Sequence, residues 1–280
     1  MNVPRAPGPA RRSPIVAHYA AGQEAGRLES GIGQLEGART RELLERYLPP
    51  PPARVADVGG GPGAYAVWLA GQGYTVDLLD LVPLHVEQAR RRFEALGLGR
   101  ARALVGDARA LPYAPASQDA ALLIGPLYHL PARTDRLTAL REAWRVLRPG
   151  GVVVAATISR FAPLLDGFFR ELVRDPAYEE ILGRDLESGW HENPSGNPAY
   201  FTTAYFHRPE EVAPELEEAS FEAPGLFAVE GPFWCLPDFD RLWAAAGLRQ
   251  RLLAWLRRVE REPSLLGASA HLLAVGRKAG

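Results

Sequence analysis

Cysteine is almost missing: Cys235 stands alone in 280 residues, so no intrachain disulfide framework and no cysteine-built zinc site can form. An excess of one charge sign is missing too. Lys+Arg number 32 against Asp+Glu 33, a formal net charge of -1, whereas proteins that grip nucleic acid by broad electrostatics usually carry a basic face. No run approaches the roughly 18–20 apolar residues that a membrane helix needs. The opening MNVPRAPGPARRSP carries Pro and Arg where a signal peptide has an apolar stretch, so the expected setting is cytoplasmic, without a membrane. Lysine is nearly absent, with Lys278 the only one; arginine supplies the other basic side chains, which reads as coding bias. What is plentiful is apolar. At 47% hydrophobic and 23% charged, the chain can bury a full core, as one large α/β domain or two small ones.

Along the chain, residues 1–14 are expected to form a disordered tail, because Pro, Gly and Arg crowd out any apolar period. A helical stretch then runs from about Pro14 to Tyr47, interrupted at Gly31 and Gly33; in its second half Leu35, Leu43, Leu44 and Leu48 can share one side. The prolines from Pro49 to Pro52 end it. From Ala53 the rhythm becomes short strands alternating with helices. Strands are expected at Arg54–Val58, Thr75–Asp80, Ala101–Val105, Asp119–Ile124 and Gly151–Ile158. Helices are expected at Ala64–Gly71, about Leu84–Leu96, and Arg133–Leu147. Such alternation means right-handed βαβ units and a mostly parallel, doubly wound sheet. After Ser159 it breaks: residues 160 to about 206 hold aromatic-rich helical pieces and a turn-rich loop, His191 to Pro198. A helix at Pro209–Ala219, a strand near Phe227–Glu230, helices at Phe239–Ala246 and Leu248–Val259, and a last strand at Ala270–Arg277 follow. An insertion therefore separates the fifth strand from the sixth.

The sharpest motif is Val55-Ala56-Asp57-Val58-Gly59-Gly60-Gly61-Pro62-Gly63, a strand running into a glycine turn that opens a helix. Such a turn brings a ligand close to backbone N–H groups at a positive helix end. Gly59-x-Gly61-x-x-Ala64 also satisfies the dinucleotide fingerprint, so a nicotinamide cofactor is a competing reading. Asp57 weighs against it, since a carboxylate suits an ammonium-bearing ligand and repels a pyrophosphate. Two more carboxylates fall at strand ends, where open α/β sheets bind ligands: Asp80, about 20 residues past the turn and placed for a ribose, and Asp107 in Val105-Gly106-Asp107-Ala108.

Together, the glycine motif, Asp80, Gly106-Asp107, the segment Asp119 to Leu130 and the turn Leu147-Arg148-Pro149-Gly150-Gly151 resemble the class I S-adenosylmethionine-dependent methyltransferases, over most of residues 53–158. One departure is Ala56, where that family commonly has Leu before the acid. The resemblance implies a Rossmann-like seven-stranded sheet of order 3-2-1-4-5-7-6, the seventh strand antiparallel. It implies S-adenosylmethionine as cofactor and S-adenosylhomocysteine as product. It divides the chain into an N-terminal helical lid (15–48), a cofactor-binding core (49–159), a helical cap (160–208) and the remainder of the core (209–280). Gly59, Gly60, Gly61 and Gly63 would admit the methionine part, with Asp57 near its amino group. Asp80 would bind the ribose hydroxyls and Leu81 would lie on the adenine. Asp107 would face the adenine amine, Ala108 would offer a backbone N–H, and Gly125 a carbonyl.

Methyl transfer asks the protein for alignment, desolvation and sometimes a base. The candidate base is His129, after the fourth strand, since an imidazole titrates near ~6.5; the competing reading makes it a packing residue. Tyr128 beside it titrates too high for that work and is placed with the acceptor. In the N-terminal segment, Tyr19 and Arg27 are the expected lid contacts, against a solvated helix with Glu–Arg pairs. In the insertion, Trp190, His191, Tyr200, Tyr205 and His207 are the expected acceptor-pocket residues, although aromatic clusters more often form core. His85 and His271 read as structural, Arg90-Arg91-Arg92 as a solvated face, and no metal spacing stands out. The expected protein is a methyltransferase with a small-molecule acceptor, monomeric or homodimeric. The competing classes are a tRNA or rRNA methyltransferase, an NAD-dependent oxidoreductase and a non-catalytic cofactor-binding protein.

Overall fold

The structure is a computed structural model that describes residues 14–20, 22 and 24–280; the expected disordered tail, apart from Pro14, lies outside the described residues. Five strands, β1 (Arg54–Val58), β2 (Thr75–Asp80), β3 (Ala101–Val105), β4 (Gln118–Leu123) and β5 (Leu147–Ser159), pair in parallel in the order β3-β2-β1-β4-β5. The later strands are β6 (Trp190–His191), β7 (Ala204–His207), β8 (Phe221–Ala228) and β9 (His271–Lys278). β9 lies antiparallel beside β5 and β8 antiparallel beside β9, so the principal sheet runs β3-β2-β1-β4-β5-β9-β8. That is the expected seven-strand order, with two strands of the insertion shifting the last numbers.

The helices between the strands are α1 (Pro14–Tyr19), α2 (Gly33–Tyr47), α3 (Ala64–Gly71), α4 (Pro83–Ala95), α5 (Arg133–Val146), α6 (Ala162–Phe169), α7 (Pro176–Ser188), α8 (Pro209–Glu218), α9 (Phe239–Ala244), α10 (Ala246–Val259) and α11 (Pro263–Leu266). The central strands are buried on both faces, and their side chains alternate between two cores. Val55, Val76, Leu78, Leu122 and Val154 meet Leu44 of α2, Leu69 of α3, and Val86 and Phe93 of α4. Val58, Leu79, Leu123 and Val153 meet Leu140 and Val146 of α5 and Leu216 of α8. A third apolar cluster joins Leu35 of α2 to Phe239, Trp243, Leu252 and Leu256 of α9 and α10. The face of α2 turned to α10 is charged as well: Glu260 accepts from both Arg39 and Arg46, and Arg257 donates to Glu42.

Three expectations need correction. The break in the N-terminal helical stretch, expected at Gly31 and Gly33, is longer: α1 ends at Tyr19 and α2 begins at Gly33, with a short 3-10 turn at Arg27–Glu29 between them. The insertion is not purely helical: β6 and β7 form an antiparallel pair, and β7 adds in parallel to the end of β5 through Ile158 and Ser159, beyond the last β4 pairing. His191, expected in a loop, is therefore a strand residue. The strand expected near Phe227 begins at Phe221; Pro224 and Gly225 interrupt its register, and those two residues are turn signals in the sequence.

Candidate active site

The turn after β1 is glycine-rich for reasons of backbone and space. Gly59, Gly61 and Gly63 have φ of 72, 55 and 87°, the left-handed region that side chains disfavour. A Cβ on Gly59 would stand 2.6 Å from Cδ of Pro126, and one on Gly60 would stand 2.6 Å from Oδ2 of Asp57. The turn is thus pressed between the loop after β4 and the strand beneath it. Asp80, at the end of β2, holds the turn from the side: Oδ2 accepts from the Gly61 N–H at 2.8 Å and Oδ1 from the Val82 N–H at 2.8 Å. His85 Nδ1 lies 3.2 Å from the same Oδ1.

Above the turn lies a cavity of about 630 Å³, in the size range of cofactor and ligand sites. Gly59, Gly60, Gly61, Asp80, Leu81, Asp107, Ala108, Gly125, Tyr128 and His129 line it from the core, and Tyr19 and Arg27 from the N-terminal segment. Of the twelve residues expected at the cofactor, Asp57 and Gly63 are not on this wall. Gly63 starts α3 and allows it to approach α4, its Cβ position being 3.3 Å from that of Ala89. Asp107 is half-buried, and Arg109 donates to it from backbone and side chain, holding its carboxyl below the usual range.

Asp57 is fully buried against Gly60, and neither carboxylate oxygen has a hydrogen-bond partner among the described residues. Burial, and then the negative charge of Asp80, pushes its pKa up to about 7. The folded state therefore holds a proton that the unfolded chain releases near 3.8, and stability falls as pH rises from about 4 to 7. That rise corresponds to roughly 4 kcal/mol. Asp57→Asn is expected to flatten this dependence, which urea denaturation at pH 5 and pH 8 measures. Equal pH dependence in both proteins would show that Asp57 ionises freely.

The N-terminal segment closes the cavity by specific contacts. The Tyr19 hydroxyl is 2.8 Å from His129 Nε2, and His129 Nδ1 is 3.2 Å from the Thr203 carbonyl. That carbonyl can only accept, so Nδ1 carries the hydrogen and Nε2 accepts from Tyr19. Burial pushes His129 down to about 4. The expected base is thus a poor one: its lone pair is engaged and its proton affinity is low, so its geometry is that of an anchor for Tyr19. Arg27 donates to both oxygens of Glu36 and, through Nε, to Glu24 at 2.9 Å.

A second cavity of about 680 Å³ adjoins the first, and Tyr19, Glu24, Arg27, Tyr128 and His271 line both. Tyr200 and His191 face this second space with Phe201, Phe206, Tyr178 and Trp234. Tyr200 donates to Asp175, and His191 Nδ1 pairs with Asp185 at 2.8 Å. Trp190, Tyr205 and His207 were expected here and lie elsewhere. Strand alternation explains all three. In β6, His191 points inward and Trp190 outward to Glu192; in β7, Phe206 faces the cavity while Tyr205 and His207 turn away. Tyr205 stacks beneath the Arg136 guanidinium, 3.9 Å from its ring centre, and His207 lies buried 3.5 Å from Glu215.

His271, expected to be structural, stands on the wall common to both cavities. Its Nδ1 is 2.7 Å from Glu230 and 3.9 Å from Glu36. The donor atoms of these three residues lie within 4.8 Å of one another, a grouping of metal-ligand type that no sequence spacing suggested. The β8–β9 ladder brings Glu230 and His271 together, with Val229 N bonded to His271 O at 3.1 Å, and α2 supplies Glu36. Only that antiparallel pairing carries a signal for the group.

A glycine turn, strand-end acids and a parallel sheet closed by one antiparallel strand define a Rossmann-like cofactor-binding protein. Known proteins match it. Residues 55–151 match the methyltransferase domain family. Methyltransferase GfsG of Streptomyces halstedii is 40% identical over 164 residues, covering 52% of this chain and 58% of that protein. A demethylmenaquinone methyltransferase of Roseiflexus castenholzii is 30% identical over 208 residues, covering 70% of this chain and 82% of its own. Among solved structures, a SAM-dependent methyltransferase of Methanosarcina mazei superposes with a TM-score of 0.57 at 17% identity, covering 85% of this chain and 97% of its own. This chain belongs to the class I S-adenosylmethionine-dependent methyltransferases. The stretch shared with the Streptomyces protein spans less than two thirds of that protein's length.

Proposed function

We propose that this protein transfers a methyl group from S-adenosylmethionine to a small organic acceptor held in the second cavity. One observation carries the reading: the cavity over the glycine turn and the aromatic cavity under the insertion share a wall, so a donor in one can meet an acceptor in the other. The residues of the first cavity fit the cofactor. Gly59 and Gly60 leave open backbone where a Cβ would collide, Gly61 takes a left-handed φ that side chains disfavour, and two acids, Asp80 and Asp107, face the same space. In this reading Asp80 takes the ribose hydroxyls, Leu81 the adenine face, and Asp107 with the Ala108 N–H the adenine edge. The cofactor supplies an electrophilic methyl group when bound; the protein aligns it and excludes water. Tyr19, seated on His129, and Arg27, seated on Glu36, act as lid residues in that role.

The size and aromatic lining of the second cavity, together with the balanced charge of the chain, favour a small acceptor over RNA. The lone free cysteine and the absence, among the described residues, of any helix long and apolar enough to cross a membrane accord with work in the cytoplasm. Calorimetric titration with S-adenosylmethionine, S-adenosylhomocysteine and NAD tests the cofactor. The first two are expected to bind and NAD to fail, with Asp80→Ala weakening both by about 100-fold, because the change removes a ribose partner and the brace under Gly61. Binding of NAD alone would overturn the reading. Methyl transfer to bulk tRNA in preference to small hydroxylated or amine acceptors would overturn its second half.

A further inference from the structure

The shared wall holds one histidine whose surroundings differ from those of every other. We propose that His271, positioned by Glu230, takes the acceptor's proton on Nε2 as the methyl group is transferred. This inference rests on the proposed methyl transfer and names the residue that serves it. Nδ1 of His271 is directed at Glu230, 2.7 Å away, and Glu230 is itself fixed: Oε2 accepts from the Ser269 hydroxyl at 3.0 Å and from the His271 N–H at 2.9 Å. The ring is thereby held from one side. Nε2 has no partner among the described residues, and the side chain stays 23% exposed on a wall that faces both cavities. This is the arrangement of a base with an orienting carboxylate.

The other groups near the junction fit this work less well. His129 has its lone pair on Tyr19. His191 has a carboxylate partner but lines only the second cavity. Burial pushes the Tyr128 phenol upward. Glu36 is gripped by Arg27. A metal ion at Glu36, Glu230 and His271 would have to displace Arg27 from Glu36 and the imidazole N–H from Glu230. With both cations in place the two carboxylates are balanced, which leaves little attraction for a dication.

In the step itself, the acceptor's O–H or N–H bond breaks and its electron pair stays on the heteroatom, which bonds to the methyl carbon as the methyl–sulfur bond of the donor breaks and that bond's pair leaves on sulfur. The proton passes to Nε2, and Glu230 and Glu36 stabilise the imidazolium. The groups facing the ring are Glu36 from α2, Glu230 after β8 and Arg27 from the turn before α2, with Tyr19, Glu24 and Tyr128 on the same wall. Burial alone would lower the pKa of His271, but Glu36 and Glu230 outweigh it and hold it at about 9. Below that value the neutral, proton-accepting fraction falls tenfold per pH unit, so transfer is expected to rise with pH by that slope up to about 9.

Nuclear magnetic resonance of side-chain-labelled histidine, in the protein saturated with S-adenosylhomocysteine, reads the device without an acceptor. The expected result is a His271 midpoint near 9 that Glu230→Gln lowers by at least about one unit. A midpoint below 7, or one unmoved in Glu230→Gln, would overturn the inference while leaving the cofactor reading intact. Failure of the wild type to bind S-adenosylhomocysteine would instead remove the reading beneath it. Transfer of labelled methyl to a panel of phenols, hydroxy acids and amines gives the second readout. His271→Gln is expected to lose about 100-fold in rate and to lose the slope with pH. A variant that keeps the slope overturns the inference, and so does tight Mn²⁺ or Zn²⁺ binding that His271→Gln abolishes.

Discussion

Gly59→Ala is expected to lower stability by about 3 kcal/mol and to weaken S-adenosylhomocysteine binding by at least about 100-fold. Two costs fall on one methyl group. At φ 72° the backbone is left-handed, which costs a residue bearing a Cβ about 1–2 kcal/mol. That Cβ would also stand 2.6 Å from Cδ and 2.8 Å from Cγ of Pro126. A proline ring cannot rotate aside, so the loop after β4 has to move, and overpacking of this kind costs about 1–3 kcal/mol. That loop carries Gly125, Tyr128 and His129 on the cavity wall, so the damage reaches the site. Gly183→Ala, the same chemical change on the exposed side of α7, is expected to stabilise by up to about 1 kcal/mol, because nothing lies within 4 Å of its Cβ position and alanine favours a helix. Urea denaturation with calorimetry on both variants decides. An unchanged Gly59→Ala protein would mean that the turn is open and does not form the floor of the site.

What could be read from the chain follows from the range of the interactions involved. β1 and β2 lie where short apolar runs between proline, glycine or helix signals put them, since strands buried on both faces need little beyond local pattern to be recognised. The glycine turn and Asp80 were legible for the same reason: all of that geometry is set within about 25 residues of chain. The second cavity was legible only in part: Tyr128, His191 and Tyr200 line it as expected, and Trp190, Tyr205 and His207 do not. Whether Phe206 or its neighbours Tyr205 and His207 face inward depends on β7 being a strand added to the end of β5, four residues long and without a distinctive composition. His271 and Glu230 meet only through the β8–β9 ladder, 41 positions apart. Burial decided His129: a histidine beside a tyrosine looks like a free base until Tyr19 of the N-terminal segment places a hydroxyl on its lone pair.

Arg136→Met is expected to destabilise by about 3–5 kcal/mol, because it leaves a buried carboxylate without its hydrogen-bonded cation, with Arg133 Nε standing off at 3.8 Å. Arg136 of α5 and Glu215 of α8 are both nearly sealed from water, and Nε and Nη2 of the arginine donate to the carboxylate at 2.7–3.1 Å. Burial would raise the Glu215 pKa, but His207 and Arg136 outweigh it and hold it at about 2. A folded value below the unfolded 4.5 contributes stability that is present above about pH 4.5 and lost as pH falls through about 2. In Arg136→Met the carboxylate instead gains a proton more readily, so the gap between variant and wild type should narrow in acid. The double variant Arg136→Met/Glu215→Leu removes both charges and should recover most of the loss, as apolar replacements of buried pairs do. The same arginine reaches the site. Nη1 donates to the carbonyls of Leu130 at 3.1 Å and Pro131 at 2.7 Å, directly after Tyr128 and His129. The double variant is therefore expected to fold well yet bind S-adenosylhomocysteine more weakly than wild type, by roughly the worth of one or two hydrogen bonds to a charged donor, about tenfold. Full affinity in that variant would show that the loop after β4 holds its shape without Arg136. A single variant that loses less than about 1 kcal/mol would mean that water reaches Glu215, and that Tyr205 and His207 line a more open space than the buried network describes.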